Sequence, residues 1–154
     1  MISREINDLL VLLRANEIAI SRLYHQYALS FPEDAGFWNE MSVQEVSHGQ
    51  DIDQLRDLAG QGKILAGKTT LRAQAVQTNI RYINALIEDC GQGKLPRKKA
   101  YALALDLENA LLEKKFFDIF DFTRTGPYTD IRAKLVAETQ LHRERIAAKL
   151  KEQP

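Results

Sequence analysis

Trp38, Met41, Glu45, His48, Ile52 and Leu55 recur at alternating spacings of three and four residues. That period belongs to one face of an α-helix packed against neighbours. Four of these positions are apolar and two are ionisable. A fold that accepts this chain must therefore turn a glutamate and a histidine toward a helical core. It must also give them partners, because a buried carboxylate without one is strongly destabilising.

The same pattern appears in three other segments. From about Ser3 to Ser30 the seam is Ile6, Leu10, Leu13, Glu17, Ile20, Tyr24 and Tyr27. From Pro96 through PRKKAYALALDLENALLEKKFFDIFDF it is Tyr101, Leu105, Glu108, Leu112, Phe116 and Ile119. From about Asp130 to Leu150 it is Ile131, Leu135, Glu138 and His142. Each long helix thus directs a carboxylate inward, and two of them add an imidazole.

Local punctuation separates these helices. Pro32, Glu33 and Asp34 suit the positive start of a second helix running to about Ala59, and GQG at 60–62 ends it. Thr69 or Thr70 can cap a shorter third helix, LRAQAVQTNIRYINALIED, which stops at Gly91 and Gly93. TRTGPYTD, residues 123–130, reads as a turn. No segment alternates with the period of a strand. The expectation is one all-α domain over residues 1–154, a four-helix bundle with the third helix inserted as a crossover.

The bulk numbers exclude several classes. Formal net charge is zero, which argues against general binding to nucleic acid or anionic membrane. The apolar runs are too short to span a bilayer, and MISREINDLL lacks the basic region and apolar block of a signal peptide, so cytoplasmic residence is expected. Cys90 is the only cysteine, which rules out a disulfide framework and a cysteine-only metal site.

Inward Lys or Arg residues at matching depth are few. Lys115 and Arg145 lie at seam edges and can reach solvent. Four carboxylates and two imidazoles without such cations fit a pair of divalent metal ions, since two divalent cations offset four negative charges. Glu45-Val-Ser-His48 is a Glu-x-x-His pair, whose spacing brings both side chains to one helix face. Di-iron carboxylate bundles use one glutamate from each of two helices and Glu-x-x-His from each of the others. Here Glu17 and Glu108 are the single glutamates; Glu113 fits the apolar seam less well.

The chain resembles the rubrerythrin-like members of the ferritin-like superfamily. The resemblance covers EIAISRLY, EVSH, the crossover helix, LDLENALLEKKFF and ETQLHRERI, nearly the whole length. It implies an antiparallel ferritin-like four-helix bundle with two iron ions per chain, a reaction with peroxide or dioxygen, and often a homodimer. Glu17, Glu45, Glu108 and Glu138 would bind and bridge the irons, with His48 and His142 as terminal ligands. Manganese and zinc suit the same donors. Full-length rubrerythrins carry a cysteine-rich iron module for electron delivery; this chain does not, so an external redox donor protein is expected. A second departure is Glu138-Thr-Gln-Leu-His142, one residue longer than Glu-x-x-His, which turns the later residue about 100° around the helix. A bundle of this fold with a degenerate or absent metal site, acting as a binding scaffold, is the alternative.

Other features carry less. Tyr24 lies two turns beyond Glu17 and can donate to a ligand carboxylate or flank an oxidised centre. His25 points off the seam. GKILAGKT, residues 62–69, matches the phosphate-loop pattern but follows a helix, not a strand, and reads as an interhelix turn. Lys94, Arg97, Lys98 and Lys99 read as a solvated basic surface, with an acidic partner such as a redox donor as the alternative. Phe116, Phe117 and Phe120 are read as exposed aromatics available to a dimer interface.

Overall fold

The computed structural model describes residues 2–66, 69–110, 119–121 and 127–154. Within them the chain is all-helical apart from one two-residue pairing. The order is α1 (Arg4–Ser30), a 3-10 turn (Pro32–Asp34), α2 (Ala35–Gly60), β1 (Leu65–Ala66), α3 (Ala73–Gly91), α4 (Arg97–Glu108), β2 (Phe120–Asp121) and α5 (Pro127–Lys151). Among the described residues no helix is long and apolar enough to cross a membrane.

Local chemistry sets the ends. Ser3 Oγ accepts from the Ile6 amide at 3.2 Å and caps α1. Pro32 opens the 3-10 turn, where a missing amide proton is harmless. Gly62 and Gly93, just beyond α2 and α3, have φ of +73° and +72°, the left-handed conformation that favours glycine. Thr69 does not cap α3: its hydroxyl accepts from the Leu71 amide at 3.0 Å, and Arg72 takes the cap position.

Two boundaries depart from expectation. A continuous helix over 96–122 is not what forms. α4 stops at Glu108, and Phe120–Asp121 is extended, paired antiparallel with Leu65–Ala66. Phe120 is buried against Ile119 and the core, so it offers no surface contact. The turn over 123–130 also yields to helix from Pro127 onward, because proline after glycine suits a first helical position. Leu112, Glu113, Lys115, Phe116 and Phe117 lie outside the described residues, as do Gly67 and Lys68 of the 62–69 segment.

α1 packs along α2 on one side and α3 on another, α4 lies against α5, and α5 also meets α2. Ser21 and Ser42 let α1 and α2 approach closely; each hydroxyl donates to the other's backbone carbonyl, at 2.9 and 2.8 Å. Asp34 at the α1–α2 corner accepts two hydrogen bonds from Arg97 at the start of α4.

The core divides into two apolar clusters. One holds Tyr24, Tyr27, Trp38, Met41, Tyr101, Leu107 and Ile146; the other holds Leu10, Leu13, Ile52, Leu55, Leu135 and Phe120. Along α1, α2 and α5 the change from one cluster to the other falls at the same depth. Glu17 separates Leu13 from Ala19, Glu45 and His48 separate Met41 from Ile52, and Glu138 and His142 separate Leu135 from Ile146. Glu108 follows Leu107 at the end of α4. A polar layer thus crosses an otherwise apolar interior.

Candidate metal centre

Glu45 is the hub of that layer. Its side chain is 2% exposed, and its two carboxylate oxygens face different helices. Oε2 lies 3.2 Å from Nδ1 of His48, one turn along α2. Oε1 lies 2.8 Å from Nδ1 of His142 on α5. The outer carboxylates flank this core: Glu17 Oε2 is 3.9 Å from His48 Nδ1, and Glu108 Oε1 is 3.7 Å from His142 Nδ1. The two imidazole rings sit 5.1 Å apart, centre to centre.

Both imidazoles turn Nδ1 inward, and both have Nε2 engaged by a polar side chain from the opposite helix. His48 Nε2, on α2, lies 2.7 Å from Glu138 Oε2 on α5. His142 Nε2, on α5, donates to Gln44 Oε1 on α2. Each helix of the pair supplies one imidazole and the group that orients the other. Glu138 therefore sits behind His48 and not beside His142. Its side chain is 33% exposed, so the layer opens to solvent on this side. Lys134, one turn earlier on α5, pairs with Asp51 at 2.9 Å and donates to Ser47.

Tyr24 closes the other side. Its hydroxyl donates to Glu108 Oε1 at 2.6 Å. Arg143 Nε donates to the Glu108 carbonyl at 2.9 Å, satisfying a carbonyl left open where α4 ends. His142 is fully buried and Arg145 pairs with Glu40, so no solvated charge cluster forms around His142. His25 is exposed, as its position off the seam implies.

The electrostatics follow from this packing. Burial pushes the Glu45 carboxyl up, but the imidazoles of His142 and His48 outweigh it and hold Glu45 well below the usual carboxylate range. Burial disfavours charge on His142, yet Glu108 and Glu45 push its pKa up to about 10. His48 is raised in the same way, the Glu45 carboxylate overcoming burial. Glu108 moves upward, through burial and then the charge of Glu45. Without metal, the packing thus favours the charged form of His142 and of Glu45 and the neutral form of Glu108.

No protein-family model matches the chain, and no curated protein or solved structure is significantly similar to it. What the site can do must be read from its own donors.

Glu45, His48 and His142 form a buried group that could hold a metal ion. The donor atoms have the right separations. Ligands about 2.1 Å from one octahedral ion stand about 3.0 Å apart when adjacent and about 4.2 Å when opposite. The inward contacts run from 2.8 to 3.9 Å. Glu45 Oε1 and His142 Nδ1 lie 2.8 Å apart, and both are buried without a hydrogen-bond partner.

The sequence seams had singled out Glu17, Glu45, His48, Glu108, Glu138, His142 and Tyr24, and all seven lie in or against this layer. Gln44 and Asp51 were missed. Asp51 had a signal, since it continues the three-residue spacing of Glu45 and His48. Gln44 had none, because it precedes Glu45 by one residue and shows its role only when α5 is in place.

Proposed function

We propose that this chain is a rubrerythrin-like di-iron carboxylate protein of the ferritin-like superfamily. In this reading α1, α2, α4 and α5 are the antiparallel four-helix bundle and α3 is its inserted crossover. The protein is an oxidoreductase that reduces peroxide or dioxygen with electrons from an external donor protein. The observation that carries the reading is the position of Glu45, whose two oxygens each face an inward imidazole Nδ1.

Glu45 divides the donors into two sets. Glu17, Glu45 and His48 would hold one ion, and Glu108, Glu45 and His142 the other. The outer carboxylates supply negative charge that two divalent cations offset. We assign Glu138 to orienting His48, as Gln44 orients His142, since a metal-bound histidine commonly gives its other ring nitrogen to such a partner. When bound, iron supplies the one-electron changes that peroxide reduction requires. The protein's own share is to hold five donors in a dry layer, to keep one solvent-facing side at Glu138, and to place the Tyr24 hydroxyl on Glu108.

The second reading is a metal-free bundle of the same fold. It is favoured by the completeness of the ion-pair network, in which both imidazoles already face carboxylates. Anaerobic loading with ferrous iron, followed by removal of the excess, separates the two. The di-iron reading expects about two iron ions per chain. A folded protein that retains none overturns it and leaves the metal-free bundle. A thermal melt with and without chelator adds an independent measure, because a ligand bound only by the native state raises its stability.

A further inference from the structure

The two halves of the polar layer match in kind but not in charge. Each imidazole turns Nδ1 toward Glu45. With Nδ1 given to a metal ion, Nε2 keeps its proton and donates it outward. His48 Nε2 then donates to a carboxylate, Glu138 Oε2, at 2.7 Å. His142 Nε2 donates to an amide, Gln44 Oε1. A carboxylate behind a metal-bound imidazole raises the basicity of the ring, and a neutral amide is a weaker acceptor. The inward nitrogen of His48 is therefore the stronger donor of the two.

Glu108 adds to the same imbalance. Its Oε1 is the oxygen 3.7 Å from His142 Nδ1, and that oxygen also accepts from the Tyr24 hydroxyl at 2.6 Å. An oxygen that already accepts a short hydrogen bond has less electron density to offer a cation. Access runs the same way. The Glu138 side chain beside His48 is 33% exposed, whereas those of His142 and Glu108 are 0% and 2% exposed. Holding α5 against α2 explains why both outer contacts exist, and a glutamine would serve in either place. It does not explain why one of the two is charged.

We propose that Glu138 makes the two metal positions unequal, so that the Glu17–Glu45–His48 position binds its ion first and more tightly, and the Glu108–Glu45–His142 position fills second. The inference rests on the di-iron reading and adds to it the order in which the ions bind. Glu138 acts through the His48 ring and is a positioning residue. Its effect comes from its charge and from the side of the layer on which that charge stands. Moving the charge from α5 to α2 therefore moves the preference. A carboxylate in place of Gln44 backs His142 as Glu138 backs His48, and exchanging the two side chains reverses the order.

The test uses the intact chain and Mössbauer-active ferrous iron, added anaerobically at one and then two equivalents, with bound iron counted at each step. Wild type is expected to show one iron environment at the first equivalent and another only at the second. Glu138→Gln should hold the same total iron, divide the first equivalent between both environments, and lower the affinity for the first ion about 10-fold in chelator competition. With Gln44→Glu added to Glu138→Gln, the first equivalent should occupy the environment that wild type fills second. A role confined to packing α5 on α2 would not reverse in this way. If Glu138→Gln does not fold, Gln44→Glu alone stands in and is expected to bring both environments into the first equivalent. Both environments at the first equivalent in wild type, or spectra and first-ion affinity unchanged in the variants, overturn the inequality and leave the metal centre standing. Absence of bound iron from the wild-type protein overturns both.

Discussion

Glu138 on α5 meets Nε2 of His48 on α2 at 2.7 Å, while Gln44 on α2 accepts from Nε2 of His142 on α5. The two contacts are reciprocal, and each fixes which ring nitrogen faces the centre. Removing either should loosen an imidazole without deleting a donor. Glu138→Ala and Gln44→Leu are each expected to weaken metal binding by about 10- to 100-fold while leaving the metal count at saturation unchanged. Anaerobic competition with a chromophoric chelator gives the affinity. A lower metal count in Glu138→Ala would instead make Glu138 a ligand.

Glu45→Ala removes the group shared by both donor sets. Metal binding should be lost, and the metal-free protein should suffer as well. The buried His142 imidazole, with a pKa pushed up to about 10, loses its main counter-charge, which costs about 3–5 kcal/mol when one partner of a buried pair is deleted. Urea denaturation of the apo variant against apo wild type measures this. An apo stability equal to wild type would show that Glu45 does not carry the network.

The pH response should change sign with metal. In the apo protein His142 is raised to about 10, so the fold favours its protonated form. That contribution is complete below the ordinary histidine value of about 6.5 and is lost as pH climbs toward 10. Melting temperature of the apo protein should therefore fall across this window. The depressed Glu45 carboxyl acts at the other end: its contribution is present above about 4.3 and fades as pH drops below its folded value. Metal must displace the imidazole protons, so metal affinity should rise with pH over the range in which apo stability falls. Paired melts at pH 6, 8 and 10 with and without metal check both slopes.

Tyr24→Phe deletes the hydroxyl that donates to Glu108. A buried carboxyl losing a partner of this kind costs about 1–3 kcal/mol. Iron stoichiometry should be unchanged, since the phenol is not among the inward donors. Loss of iron in this variant would place Tyr24 in the ligand set.

Much of this arrangement was legible in the residues. The three-and-four spacing located the inward faces of α1, α2 and α5, and on α4 the buried positions Tyr101 and Glu108, and the ionisable interruptions marked their shared depth. What failed was the end of α4. Nothing between Arg97 and Phe122 breaks a helix locally, so the seam ran on through Leu112 and Phe116. Long-range pairing of Phe120–Asp121 with Leu65–Ala66 overrides that propensity, and no window of sequence contains it. The role of Glu138 was hidden for a related reason. Its spacing from His142 says only how far it is rotated on its own helix. That it meets His48 depends on how α5 lies against α2.

The layer also has an order of assembly. Its donors extend from Glu17 to His142, and those on α4 and α5 come last along the chain. Until α5 docks, Glu45 and His48 lack both His142 and Glu138. On the di-iron reading, a chain emerging from the ribosome would thus hold three of the five donors, Glu17, Glu45 and His48, before the other two arrive. On that reading the ion pairs of His142 and His48 with Glu45 would be a safeguard, letting the bundle close first and admit metal afterward by exchange for protons.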